Sequence, residues 1–375
     1  MTTWIEHYDI HGLVSLTVRR SAALGPVPAI SQPFRYFQVA SLDREPDVVL
    51  EVGHFEPDNR GCYLVDHQFF VRENYFYCED AYGAARWRVE IQGFEYGQTR
   101  VRFCGTFRGL KGFVAPGMLP TSLLLKQVAG LHLSRQGYFL AHGAAASKDG
   151  QAIVLFGRGG TYKTTLLMTL LRQDEGWQMM GDDTVIVGGS QVLSFPALLG
   201  FFAFRYQHLP TEKLSLLDRL RLLFFLARFK PTDVPVVDRS RLIGLVHCTV
   251  GPGDEVSVGE AGIGENVVSL ARGSAVEEHT SYNIGHTSVY PRYVEAYTYV
   301  FPGNSLARRW GDACAKLLIG AQGVQSLVLG LPRCPERHHF SEAIQALGRM
   351  ALRPGGAERA EAQGASVFQA AEAVP

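Results

Sequence analysis

A two-part α/β chain is the fold class that this sequence predicts, and three observations predict it. Residues 1–115 carry short β-branched and aromatic runs broken by Gly, Asp, Asn and Pro. From Tyr138 onward strand-like runs alternate with helix-like ones, the pattern of an α/β sheet. Within that alternation IVLFGRGGTYKTT, a leucine-rich run and GDDTVIV set a glycine-rich strand-to-helix turn ahead of a carboxylate pair.

Bulk composition narrows the classes. A length of 375 residues allows two domains with ample core. Charged residues make up 19% of the chain, below the roughly 25% usual for soluble proteins. The 36 basic and 36 acidic residues balance to zero net charge. Nucleic acid is therefore not an expected partner, because its binders usually carry a basic excess. No apolar run reaches the roughly 20 residues of a membrane span, so no transmembrane segment is expected. The N-terminus MTTWIEHYDIHG lacks a basic region followed by an apolar core, so no signal peptide is expected either. Cys62, Cys78, Cys104, Cys248, Cys314 and Cys334 are scattered, without a CxxC pair or zinc spacing. Buried or half-buried thiols in a reducing cytoplasm are the expectation.

In chain order, the first domain (1–115) has expected strands at Leu13–Val18, Val48–Val52, Cys62–Val65, Trp87–Ile91 and Thr99–Cys104. Its aromatics, as in Tyr75-Phe76-Tyr77, read as core and cross-strand packing, since interleaved Arg and Lys are too sparse for a base-stacking platform. Around Pro116–Gly137 the period changes, and Leu123, Leu124, Val128, Leu131 and Leu133 predict a helix ended by Gly137. The second domain (116–352) opens there. It continues with strands at Ala152–Phe156, Trp177–Met180 and Thr184–Val187, a helix at Lys163–Arg172, and late helices at Gly311–Leu318 and Ser341–Leu352. The amphipathic run Thr211–Lys230 fits three readings: a helix packed on the sheet, a partner or homo-oligomer helix, or a membrane-surface helix. Residues 353–375, rich in Gly, Ala and Glu, are expected to be a disordered tail.

The chemistry concentrates at the turn. A triphosphate needs backbone N–H groups around its oxygens, an ammonium to neutralise them, and a hydroxyl with a carboxylate to hold Mg²⁺. Against the pattern GxxxxGK[ST], Gly157, Lys163 and Thr164 fall in register, Gly159 and Gly160 lie inside the loop, and Thr161 and Thr165 flank it. Tyr162 stands where the second fixed glycine is expected, so its side chain must point away from the phosphates, across the base or ribose, or cover the site. The bland reading is a glycine-rich turn with a surface lysine. The apolar run Leu166, Leu167, Leu170 and Leu171 after the loop, and the Asp pair beyond it, favour nucleotide binding. Asp182 and Asp183 are either solvated turn residues or a pair in which one holds a cation and the other accepts the proton of an attacking hydroxyl.

These residues resemble the catalytic domain of HPr kinase/phosphorylase and its related small kinases, whose fold is similar to the P-loop core of phosphoenolpyruvate carboxykinases. The resemblance spans residues 138–190 and is carried by His142-Gly143, by GRGGTYKTTL and by GDDTVIV. It implies an α/β P-loop kinase domain that binds ATP with Mg²⁺, behind a β-rich (α+β) N-terminal domain suited to acceptor recognition. It further implies that Lys163 and Thr164 bind phosphates and metal, that Asp182 is the base and Asp183 a metal ligand with these two roles exchangeable, and that His142 lies near the transferred phosphoryl group. The acceptor so implied is a hydroxyl, on a peptide or protein Ser/Thr ahead of a small molecule. From Leu193 through the amphipathic run nothing matches the family's protein-docking region, so HPr itself is not implied. Two other classes stay open: a nucleotide-binding regulatory or scaffold protein in which Tyr162 has cost the activity, and an ATPase coupled to assembly through the 211–230 helix. Arg239, Arg241 and Arg292 are candidates for a phosphate-sensing arginine, Arg158 for a nucleotide contact. Glu277, Glu278, His279 and His286 read as a polar loop lining or capping the site, because their spacing fits no standard metal motif.

Overall fold

The computed structural model describes residues 3–21, 32–82, 85–106, 120–172, 176–196, 236–280 and 289–351. The chain divides into two compact units, residues 1–136 with 278–309 and residues 137–277 with 310–375. The helix that the sequence reading places at the head of the second domain thus belongs to the first unit.

Among the described residues nine strands of the first unit run β1 (Thr3–Ile10), β2 (Val14–Ser21), β3 (Gln38–Val39), β4 (Val48–Val52), β5 (Tyr63–Val65), β6 (Phe69–Arg72), β7 (Tyr75–Tyr82), β8 (Ala85–Gln92) and β9 (Thr99–Thr106). They form one sheet in the order β3-β1-β2-β4-β9-β8-β7-β6-β5. Its pairings are antiparallel except β2–β4 and β4–β9. Two helices pack here, α1 (Pro120–Arg135) and one numbered α4 below (Val289–Val300). The apolar stripe of α1, Leu124, Leu125, Val128, Leu131 and Leu133, is buried, and Gly137 follows at φ 86°, a left-handed stop. Tyr293 meets Phe76 and Phe94 at ring separations of 4.7 and 4.9 Å, and these rings with Tyr75 and Tyr77 are core, whereas Trp4, Tyr63 and Tyr96 are exposed. The Tyr75 hydroxyl donates to the buried Glu90 carboxylate at 2.9 Å, and Arg102 pairs with the same carboxylate from the adjacent strand.

In the second unit β10 (Phe139–Lys148), β11 (Gln151–Phe156), β12 (Gln178–Gly181), β13 (Thr184–Gly188), β14 (Gln191–Leu193), β15 (Arg239–Gly251), β16 (Ser257–Glu260) and β17 (Gln325–Pro332) form a mixed sheet. Its helices are α2 (Lys163–Arg172), α3 (Ile263–Thr280), α5 (Ser305–Gly320, shared with the first unit) and α6 (Arg337–Ala351). The pairing closes on itself: β11 with β10, β10 with β13, β13 with β14, β14 with β15, and β15 in parallel with β11. β15 also carries β17 in parallel beyond the short β14. The carboxyl ends of β11, β15 and β17 therefore point the same way.

Two apolar layers cover the strands. Leu166, Leu167 and Leu170 of α2 with Phe340, Ala343, Ile344 and Leu347 of α6 pack against Leu155, Val246 and Leu329, and half-buried Leu171 joins them. Val267, Leu270 and Ala271 of α3 with Ala313, Cys314 and Leu317 of α5 pack against Val154, Phe156, Val185 and Leu245. This α/β/α layering agrees with the alternation in the sequence, and α2 has the bounds that its leucine spacing predicts.

Some expectations change. The run Glu277–Thr280 is not loop but the last turn of α3, and Arg292 sits in a second helix, α4. Cys334 is exposed, while Cys78, Cys248 and Cys314 are buried and Cys62 and Cys104 half-buried. His286, the 211–230 segment and the 353–375 tail lie outside the described residues. Among the described residues no helix is long and apolar enough to cross a membrane.

One group of the first unit gives a pH signature. His132 on α1 shares a 2.8 Å hydrogen bond with the Thr99 hydroxyl, and burial, aided by the Arg135 charge, lowers its pKa from 6.5 to about 4. Between those values the unfolded chain binds a proton that the folded chain does not. Stability is therefore full above pH 6.5 and falls as pH drops through the window, by at most about 1.4 kcal/mol per pH unit. Urea denaturation at about pH 7 and about pH 5 is expected to show this loss in the wild type and a smaller one in His132→Gln.

Candidate functional site

The site begins where β11 ends. Gly157 leaves the strand at φ 148°, and a β-carbon there would lie 2.3 Å from the Cys248 carbonyl of β15 and 3.0 Å from the Thr161 hydroxyl. Only glycine fits, so the turn can hug the neighbouring strand. The loop then closes on Arg158, whose carbonyl accepts from the Thr161 amide at 3.3 Å and from its hydroxyl at 2.8 Å. Gly160 is left-handed at φ 83° with open space where a side chain would stand, and Arg158 and Gly159 are exposed beside it.

Lys163 opens α2 and is 7% exposed. Its ammonium donates to the Gly157 carbonyl at 2.8 Å and the Arg158 carbonyl at 3.0 Å. The loop is thus wrapped around the lysine's charge. Below it Cys248 is inert, its thiol pushed up to about 12 by burial with only partial offset from Lys163.

Tyr162 adopts φ 61°, the left-handed conformation its motif position reserves for glycine, which costs a β-carbon-bearing residue about 1–2 kcal/mol. Its ring turns to α6, meeting Phe340 edge-on at 5.8 Å, and its hydroxyl makes a long 3.4 Å bond to the Arg333 carbonyl. An aromatic pair contributes roughly 0.5–1.5 kcal/mol beyond its buried area, enough with that area to offset the strain.

The Asp pair sits in the turn from β12 to β13. The Thr164 hydroxyl donates to the Asp182 carbonyl at 3.3 Å, joining the start of α2 to that turn. Asp182 is 4% exposed, whereas the Asp183 side chain is 59% exposed. Gly143 opposes Phe156 across β10–β11 and His142 opposes Thr184 across β10–β13, so His142 stands between the loop and the Asp turn. Its Nδ1 lies 3.5 Å from an Asp183 carboxylate oxygen, and the Gly143 amide donates to the Asp183 carbonyl at 3.1 Å. The structure therefore brings together His142, Gly157, Lys163, Thr164, Asp182 and Asp183. Thr165 instead faces the core, 8% exposed, its carbonyl accepting the Thr169 hydroxyl at 2.9 Å.

Two residues near this end escaped the sequence reading. His247 pairs with Phe156 in register and stacks on it at 5.0 Å and 5°, with burial lowering its pKa. Ser274 of α3 accepts the His142 amide at 2.9 Å and donates to the Leu270 carbonyl at 2.7 Å, tying β10 to α3 at His142. Neither had a sequence signal, since both are set by register between distant segments. The arginine expectation needs correcting. Arg241 pairs with Gln151 and Arg239 with Leu193, at the amino end of β15, roughly 17 Å along β11 from the loop. Strand direction excludes them from the site. Of Arg292 only the backbone in α4 is described.

The donor set fits the groups that the loop pattern implies. Exposed Gly160 leaves backbone open to a phosphate chain, and Thr164 with exposed Asp183 offers hard oxygen donors. Among the described residues no cluster of three or more His, Cys, Asp or Glu forms a closed metal cage. Mg²⁺ takes one or two protein oxygens and completes its shell with water and phosphate.

No protein-family model and no curated protein matches the chain. Among solved structures the HPr(Ser) kinase/phosphatase from Coxiella burnetii is similar over 61% of this chain and 96% of that chain, at 10% identity and a TM-score of 0.22. A score that low carries no argument about chemistry.

The two left-handed glycines separate conformation from contact. Gly160→Ala is expected to cost about 1 kcal/mol through φ alone. Gly157→Ala, which adds the collision with the Cys248 carbonyl, is expected to cost at least twice that, about 2–4 kcal/mol. Urea titration of both variants checks the order.

Proposed function

We propose that this chain is an ATP-dependent phosphotransferase that moves the terminal phosphoryl group of ATP to a hydroxyl acceptor. The observation that carries the reading is the meeting of Lys163, Thr164, His142 and the Asp182-Asp183 turn at the carboxyl end of β11, beside the middle of β10. A binding loop alone does not require a carboxylate pair and an imidazole beside it.

Each residue has a task in that chemistry. Backbone N–H groups of residues 157–162 and the amino end of α2 face the phosphates, as helix starts favour anions. The Lys163 ammonium, now satisfied by two carbonyls, exchanges them for phosphate oxygens. Thr164 and Asp183 are the residues that would hold Mg²⁺, whose charge offsets that building on the phosphoryl oxygens. Asp182 accepts the proton of the acceptor hydroxyl as its oxygen bonds to phosphorus and the bond to the ADP oxygen breaks. His142 lies beside the transferred group, oriented by Asp183. A peptide or protein serine or threonine is the acceptor class that the family resemblance favours, and residues 1–115 are the proposed recognition part.

Calorimetry with MgATP and transfer of label from γ-labelled MgATP to hydroxyl acceptors in an extract test the reading together. Lys163→Ala is expected to weaken MgATP binding at least about tenfold. Asp182→Asn is expected to retain binding and to lower transfer by about 10²-fold or more. Binding that ignores Lys163→Ala overturns nucleotide recognition by this loop. Binding without any labelled acceptor leaves a regulatory scaffold, and steady hydrolysis without acceptor an ATPase.

A further inference from the structure

The loop position most at odds with its motif is also the one most firmly anchored. Tyr162 holds φ 61° with its carbonyl already accepting the Leu166 amide at 2.9 Å, so it is the residue through which the loop enters α2. Its ring packs among the apolar residues shared by α2 and α6, edge-on to Phe340, and its hydroxyl reaches the Arg333 carbonyl in the segment between β17 and α6. Lys163, next in the chain, is turned the other way into the loop. A glycine here would take the same φ without strain but would have no ring to fix it.

We propose that Tyr162 is a positioning residue: a latch that ties the glycine-rich loop to α6 and holds it in its nucleotide-ready shape before any nucleotide arrives. The proposal rests on the phosphotransferase reading for the ligand, MgATP, but its mechanical part concerns the protein alone. Preorganisation raises affinity by removing the ordering cost from the binding step. A glycine leaves the loop mobile, so restoring the motif weakens binding rather than improving it. The ring carries the effect, because the hydroxyl bond is long and half-exposed.

The test compares wild type, Tyr162→Phe, Tyr162→Gly, Phe340→Leu and the Tyr162→Gly/Phe340→Leu double variant, with circular dichroism confirming that each is folded. Hydrogen exchange of the free proteins reads the loop, and calorimetry with MgATP reads the consequence. Tyr162→Phe is expected to stay within about twofold of wild type in both. Tyr162→Gly is expected to exchange the amides of residues 157–163 at least about tenfold faster and to bind MgATP about five- to twentyfold more weakly. Phe340→Leu is expected to shift both in the same direction, with the double variant no worse than Tyr162→Gly, since one contact is being removed twice. Tyr162→Gly with wild-type exchange, or binding MgATP as tightly as wild type, overturns the latch. If MgATP binding is lost in Lys163→Ala but untouched in Tyr162→Gly, the latch falls and the functional reading stands. If the wild type binds no MgATP, both fall.

Discussion

The closed circuit of backbone pairing in the second unit is the constraint on which the site depends. β11 has a hydrogen-bonded neighbour on each edge, antiparallel β10 and parallel β15, and the circuit returns through β13 and β14. The carboxyl end of β11 is therefore held from both sides. The backbone of β15 lies so close to Gly157 that only a residue without a side chain can turn there. The same circuit sets His142 level with the loop and opposite Thr184. A one-residue slip of β10 would exchange its inward and outward residues and carry the imidazole away from Asp183.

On that frame the loop solves two local problems, one set by its motif lysine and one by the tyrosine that departs from the motif. A lysine buried to 7% exposure needs acceptors, and the loop supplies two of its own carbonyls. The carbonyls that curl the loop thus hold the cation that the proposed chemistry needs. Tyr162 pays for a left-handed backbone with an aromatic contact on α6. The two adjacent side chains point opposite ways, one into the loop and one into the packing between helices.

Much of this was legible in the sequence because it is local. Leu166, Leu167 and Leu170 at helical spacing fixed the bounds and the buried face of α2, and the turn residues around Asp182 fixed the return to β13. The motif position of Tyr162 left three courses for its side chain: away from the phosphates, across the base or ribose, or over the site. Which of them it takes did not follow, because Phe340 belongs to a helix that local spacing cannot place. Arg239 and Arg241 misled because nearness in pattern says nothing about strand direction, and their strand enters from the far end. Glu277–His279 read as loop because their polarity was weighed without the preceding Val267, Leu270, Ala271 and Ser274, whose spacing carries the helix through them. The Ser274 bond to the His142 amide joins residues 132 apart and has no local trace.

The most direct measurement is a crystal structure of the full chain grown with Mg²⁺ and a non-hydrolysable ATP analogue. The phosphotransferase reading predicts the phosphate chain lying along residues 157–163, the Lys163 ammonium moved from the Gly157 and Arg158 carbonyls onto phosphate oxygens, and Mg²⁺ between Thr164 and Asp183. A nucleotide bound elsewhere, or Lys163 still on its two carbonyls at saturating analogue, would contradict it.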